Sequence, residues 1–115
     1  TSEVIRALYE KTGYVIDTHT AVAAGVYGKY KKDTGDVDTK TVIASTASPF
    51  KFCASVLDAL GVTEHAPGTG VLGQLTAETG RPAPTPLASL AGKPVRFDQV
   101  TDRGDMRAVV TEFLR

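Results

Sequence analysis

Three hydroxyls and a proline close an apolar run in "TVIASTASPFKF", Thr41 to Phe52: Ser45, Thr46, Ser48 and Pro49. Residues of this kind at the mouth of a buried strand have two readings. They can shape a turn through local hydrogen bonds, or they can form a small polar site turned toward a ligand. A second group, Asp17, His19 and Thr20 in "DTHTAVA", places a carboxylate, an imidazole and a hydroxyl within four residues. Asp17 and His19 could act as an acid–base pair or as ligands, although structural hydrogen bonding is the commoner use of such a histidine. Zinc needs three or four convergent ligands, and His65 is the one histidine left to join them, so a metal site is set aside.

Other signals have plain explanations. Lys51 in "PFKF" superficially suggests a lysine that forms a Schiff base, but that chemistry needs a desolvated pocket, and Lys51 falls in the first turn of a predicted helix. Cys53 lies on the apolar face of the same helix, where a thiol packs. "GTGVLG" (Gly68 to Gly73) satisfies G-x-G-x-x-G literally, yet "VTEHAP" before it is no strand, and a loop feeding a helix is the better account. "RGD" at Arg103 to Asp105 reads as the turn that starts a helix.

The elements that must position these residues follow from periodicity. Val4, Ile5, Leu8 and Tyr9 form the stripe of a first amphipathic helix, stopped by Gly13. "YVID" is a short extended link. "THTAVAAGVYGKYKK" is apolar almost all round and so wants cover on every side, with Gly25 and Gly28 permitting close approach of a neighbour. "KDTGDVDTK" is a polar loop, and "TVIAS" is β-branched and apolar enough for a parallel strand buried on both faces. Ser48 and Pro49 occupy N-cap and N1 positions before a helix whose face is Cys53, Val56, Leu57 and Leu60, closed by Gly61. A short helix is expected over Val71 to Thr79, then stiff "RPAPTP", a second short strand at "PVRF", and a C-terminal helix carrying Met106, Val109, Val110, Phe113 and Leu114, introduced by Asp102 or Asp105. The expected fold class is helix-rich α/β, with few parallel strands and flanking helices. A lone buried strand cannot satisfy its backbone groups, so further strands must come from elsewhere. In open parallel sheets ligands bind at the carboxyl ends of the strands, the position taken by Ser45 to Ser48.

Composition sets the limits. At 115 residues, 42% apolar and 23% charged, residues 1–115 make one domain of ordinary globular composition. Thirteen basic residues balance thirteen acidic ones and the densest basic stretch is "KYKK", which argues against nucleic acid or an anionic membrane as partner. One cysteine excludes an intrachain disulfide framework and fits the cytoplasm. The chain starts at Thr1 instead of methionine and is in helical pattern by Glu3, which leads us to expect a piece excised from a longer protein.

"DTHTAVA", followed by "STASPFKF" and an amphipathic helix, resembles the C-terminal part of threonine synthases, pyridoxal-phosphate enzymes of fold type II, related to the tryptophan-synthase β-subunit. The family pattern is approximately Asp-x-His-Thr-Ala and then Ser/Ala-Thr-Ala-x-Pro-x-Lys-Phe. It is matched at Asp17, His19, Thr20, Ala21, Thr46, Ala47, Pro49, Lys51 and Phe52. The resemblance covers roughly Tyr14 to Leu60 and fades after Gly61.

The resemblance implies a parent lyase of threonine biosynthesis that converts O-phospho-L-homoserine and water to L-threonine and phosphate, with pyridoxal 5'-phosphate as cofactor. It makes Thr46 the hydroxyl that meets the cofactor's pyridine nitrogen, with Ser45 as a supporting cofactor-binding residue and Asp17, His19 and Thr20 as substrate-side candidates. It also places the Schiff-base lysine and the phosphate loop upstream, outside these residues, so this chain supplies no catalytic residue of its own and is expected to be inactive alone. The remaining domains of the parent are then its partners, and apolar surface left uncovered would drive self-association. Two other readings stay open: a self-standing interaction domain without catalysis, and a piece of another fold type II enzyme such as a dehydratase.

Overall fold

Ile5, fully buried on the first helix, is the residue around which the chain packs. In the computed structural model, which describes residues 1–115, helix α1 (Ser2–Thr12) turns Ile5 inward with Val4, Leu8 and Tyr9 beside it. Gly13 ends α1 in the left-handed region at φ 67°, where its N–H returns to the Tyr9 carbonyl at 2.7 Å. Val15 and Ile16, both buried, cross to helix α2 (Thr18–Thr34). Helix α3 (Cys53–Leu60) contributes Cys53, Val56, Leu57 and Ala59 to the core, and α4 (Gly70–Thr79) contributes Leu75.

Two polar clamps hold α1 in place. Arg6 Nε donates to the Ala59 carbonyl at 2.8 Å and Tyr9 Oη donates to the Glu78 carbonyl at 3.1 Å, tying α1 to α3 and α4. At Gly25 a Cβ would stand 3.4 Å from Val4 Cγ2, so the close approach expected there is with α1, whereas nothing faces Gly28.

Beyond Leu75 no residue is buried. α5 (Thr85–Ala88), a 3₁₀ turn at Ser89–Gly92, another at Arg103–Asp105 and α6 (Met106–Phe113) complete the chain. "RGD" is the turn before α6, and "GTGVLG" is the turn and opening of α4, as expected. The molecule is long, 59 × 33 × 24 Å, with a radius of gyration of 18.7 Å. A compact chain of this length would have about 13 Å.

Two expectations are corrected. The α/β class with parallel strands is not what these residues form: there are six helices and no strand. "TVIAS" is irregular, with Val42 94% exposed, and "PVRF" leaves Val95 and Phe97 exposed. A strand exists through ladder bonds to a neighbour, and β-branched composition cannot supply the neighbour. The all-round cover expected for α2 is also missing, since burial is confined to Thr20 and Ala21 in its first turn while Val22 and Val26 remain exposed. No helix is long and apolar enough to cross a membrane.

Candidate functional site

Asp17 is the most deeply buried polar group of the chain, at 0% exposure. It sits there because it caps α2: its backbone is extended (φ −77°, ψ 169°) and its Oδ1 accepts the N–H groups of His19 at 2.8 Å and Thr20 at 3.3 Å. Oδ2 accepts the Thr20 hydroxyl and, at 3.5 Å, the Ser45 hydroxyl. Ser45 Oγ lies 3.0 Å from Thr20 Oγ1. Burial pushes the Asp17 carboxyl upward, but the bonds from the Thr20 hydroxyl, from the two N–H groups and from the His19 side chain outweigh it and hold the acid below its ordinary value.

His19 is mostly exposed, with Nδ1 3.3 Å from Asp17 Oδ1, so the tautomer with its hydrogen on Nδ1 satisfies the contact. Its ring meets Phe52 with centroids 4.9 Å apart and planes tilted by 54°. The two sequence motifs are therefore one structural unit. Thr20 to Ser45 joins them on one side and His19 to Phe52 on the other. The aromatic contact is absent from the sequence reading, and the one available signal was that an imidazole and a phenyl ring both fell inside the motifs.

Ser48 accepts the Phe50 N–H at 3.2 Å with Pro49 next, the cap arrangement expected, but what it caps is a 3₁₀ turn (Pro49–Lys51), and α3 begins only at Cys53. That turn buries Phe50 and leaves Lys51 exposed. Cys53 is buried, donates to the Phe50 carbonyl at 3.2 Å, and has its thiol pushed above the ordinary value by burial. His65 joins neither Asp17 nor His19; it pairs with Asp58 at 3.1 Å. No group of three or more His, Cys, Asp or Glu side chains is placed to hold a metal ion.

Thr46 follows Ser45 and is exposed. The edge it occupies is open: the larger cavities lie elsewhere, one of about 590 Å³ along Leu90 to Phe97 and one of about 510 Å³ between α4 and the segment from Pro82 to Ala91. Chemically the edge offers neutral hydroxyls backed by a buried carboxylate.

Comparison with known proteins decides the family. The family model described as "Threonine synthase, C-terminal" matches residues 20–111. The chain belongs to the threonine synthase C-terminal family. The match begins at Thr20 and includes Ser45, Thr46 and Lys51, while Asp17 and His19 lie just before it. A relative from Mus musculus, "Threonine synthase-like 1", is 40% identical over 60 residues, covering 52% of this chain. The chain spans 8% of the length of that mouse protein.

Proposed function

We propose that this chain supplies one edge of the active site of a pyridoxal-phosphate lyase that converts O-phospho-L-homoserine and water to L-threonine and phosphate. One observation carries the reading: "DTHT" and "STASPFKF" close on each other through Thr20–Ser45 and His19–Phe52, and Thr46 is left exposed beside the junction. The donor set fits the ring edge of the cofactor, since an uncharged hydroxyl can hold a pyridine nitrogen without imposing a full positive charge. Thr46 would hold that nitrogen, with Ser45 beside it and Asp17, His19 and Thr20 on the substrate side. The cofactor, when bound, supplies the electron sink for the carbanion chemistry, and the protein supplies orientation and electrostatics.

The lysine that fixes the cofactor and the loop that holds its phosphate belong to other segments of the enzyme, and the chain alone is inactive. "TVIAS" becomes a parallel strand once those segments provide its neighbours, which brings Thr46 to the carboxyl end of a strand. The exposed Val22, Val26 and Val42 are covered by the same segments, and without them they promote self-association. The cytoplasm is the place of action.

The test is phosphate release from O-phospho-L-homoserine with added pyridoxal phosphate, run on this chain and on a longer product that carries it. Activity in the longer product alone is the expected result. Turnover of serine or threonine instead would identify a dehydratase, and turnover by the 115-residue chain itself would overturn the division of labour and return Lys51 to consideration.

A further inference from the structure

Asp17 makes more contacts than a helix cap needs. Oδ1 does the capping, through the N–H groups of His19 and Thr20, whereas Oδ2 meets hydroxyls: that of Thr20, three residues away, and that of Ser45, 28 residues away. An ionised carboxylate only accepts hydrogen bonds, and serine and threonine each own a single hydroxyl hydrogen. The Thr20 hydrogen therefore points to Asp17, and the 3.0 Å contact between Thr20 Oγ1 and Ser45 Oγ is made with the hydrogen of Ser45. The protein acceptors within reach of that hydrogen are Thr20 Oγ1 and Asp17 Oδ2. Ser45 is exposed, as Thr46 is, but with its hydrogen held in these contacts it turns lone pairs outward. Thr46, exposed at the next position, keeps a hydrogen to give.

Resting on the functional reading above, we infer that Asp17 and Thr20 are positioning residues that hold the Ser45 hydroxyl hydrogen inward, so that an acceptor atom of a ligand at this edge takes its hydrogen bond from Thr46 and not from Ser45. The two adjacent hydroxyls are thereby unequal. Ser45 tethers the segment to the start of α2, and Thr46 is the residue that meets a neutral ring nitrogen. Aspartate is required for the direction of the chain of hydrogen bonds and not for the cap. Asparagine caps a helix about as well, but its amide N–H would donate to Thr20, release the Thr20 hydrogen toward Ser45, and let Ser45 turn its own hydrogen outward.

The experiment has two arms. In the first, without cofactor, the Asp17 carboxyl is titrated by carbon-13 NMR in the unaltered protein and in Thr20→Val and Ser45→Ala. The carboxyl pKa rises in both variants, more in Thr20→Val; an Asp17 titration unmoved by Ser45→Ala overturns the relay, whatever the protein does. In the second arm the complete protein is loaded with pyridoxal phosphate, and the cofactor absorption band and its pH dependence are recorded. Thr46→Val moves the band. Ser45→Ala weakens uptake several-fold without moving the band, Ser45→Thr restores uptake, and Asp17→Asn moves the band while the melting temperature stays close to that of the parent. A band that moves as much in Ser45→Ala as in Thr46→Val overturns the inference. A complete protein that takes up no pyridoxal phosphate overturns the functional reading and the ligand half of this inference, and the carboxyl titration still decides the relay.

Discussion

Residues 2–79 and residues 80–115 obey the same local rules and end in different states. Both regions contain amphipathic helices, and α6, with Met106, Val109, Val110 and Phe113, has as regular an apolar stripe as α1. Yet α1 buries Ile5 completely and clamps two neighbours through Arg6 and Tyr9, while α6 buries nothing and leaves Phe113 79% exposed. Amphipathicity makes a face available, and a second face must be in reach before burial stabilises anything. The elongation to 59 Å is the geometric form of that difference.

The largest expected effect separates the regions directly. Leu57→Ala, at a fully buried position, costs about 2–5 kcal/mol, whereas Phe113→Ala costs no more than about 0.5 kcal/mol. Denaturant melts of the two variants make the comparison, and equal costs would mean that α6 is packed in solution.

Asp17→Ala comes next, because it removes the cap of α2 and orphans the buried Thr20 hydroxyl; each loss is worth about 1 to 2 kcal/mol. The same carboxyl sets a pH dependence. Its folded-state pKa lies below the unfolded one, so its stabilisation is fully present above the unfolded value of roughly 3.9 and is lost as the pH falls through the lower, folded value. Melting temperatures followed from neutral to acid pH should therefore fall less steeply in Asp17→Ala than in the parent. A parallel fall would place the acid-sensitive group elsewhere, and Asp36, whose pKa is lowered by the hydroxyl and N–H of Thr39 and the hydroxyl of Tyr30, is the first alternative.

Limited proteolysis sharpens the contrast along the chain. Early cuts should fall between Pro94 and Asp102, where the backbone has no regular structure and every residue is exposed, and the piece that contains α1 to α4 should persist. Cuts within α3 at the same rate would remove the distinction.

The smallest effect concerns glycine. Gly25→Ala places a methyl in ordinary contact with Val4 and removes a flexible residue from a helix, a gain of about 0.5–1 kcal/mol. Gly61→Ala, at φ 95°, should lower stability instead.

Much of this was legible in the residues. Gly13, Gly61 and Gly80 each end a helix in the left-handed region, and Cys53, Val56 and Leu57 face inward, because helix stops and apolar stripes are interactions within a few residues of one another, whereas the cap that Asp17 provides to α2 was not read from the residues. The motifs pointed to Asp17, His19, Thr20 and Ser45, and those four side chains do converge, with Thr46 beside them. That "TVIAS" forms no strand here, that α2 stays largely uncovered and that the Ser45 hydroxyl reaches Thr20 were not legible, since each depends on what lies alongside.

Sequence by itself determined where α1, α3 and α4 stop, which faces are apolar, and the family to which the chain belongs. Tertiary structure alone decided that Val42 stays exposed, that α1 packs while α6 does not, and that Asp17 Oδ2 reaches a serine 28 residues away. Ladder bonds, buried faces and hydroxyl relays are made between segments distant in the chain, so the residues can permit them but cannot by local rules require them.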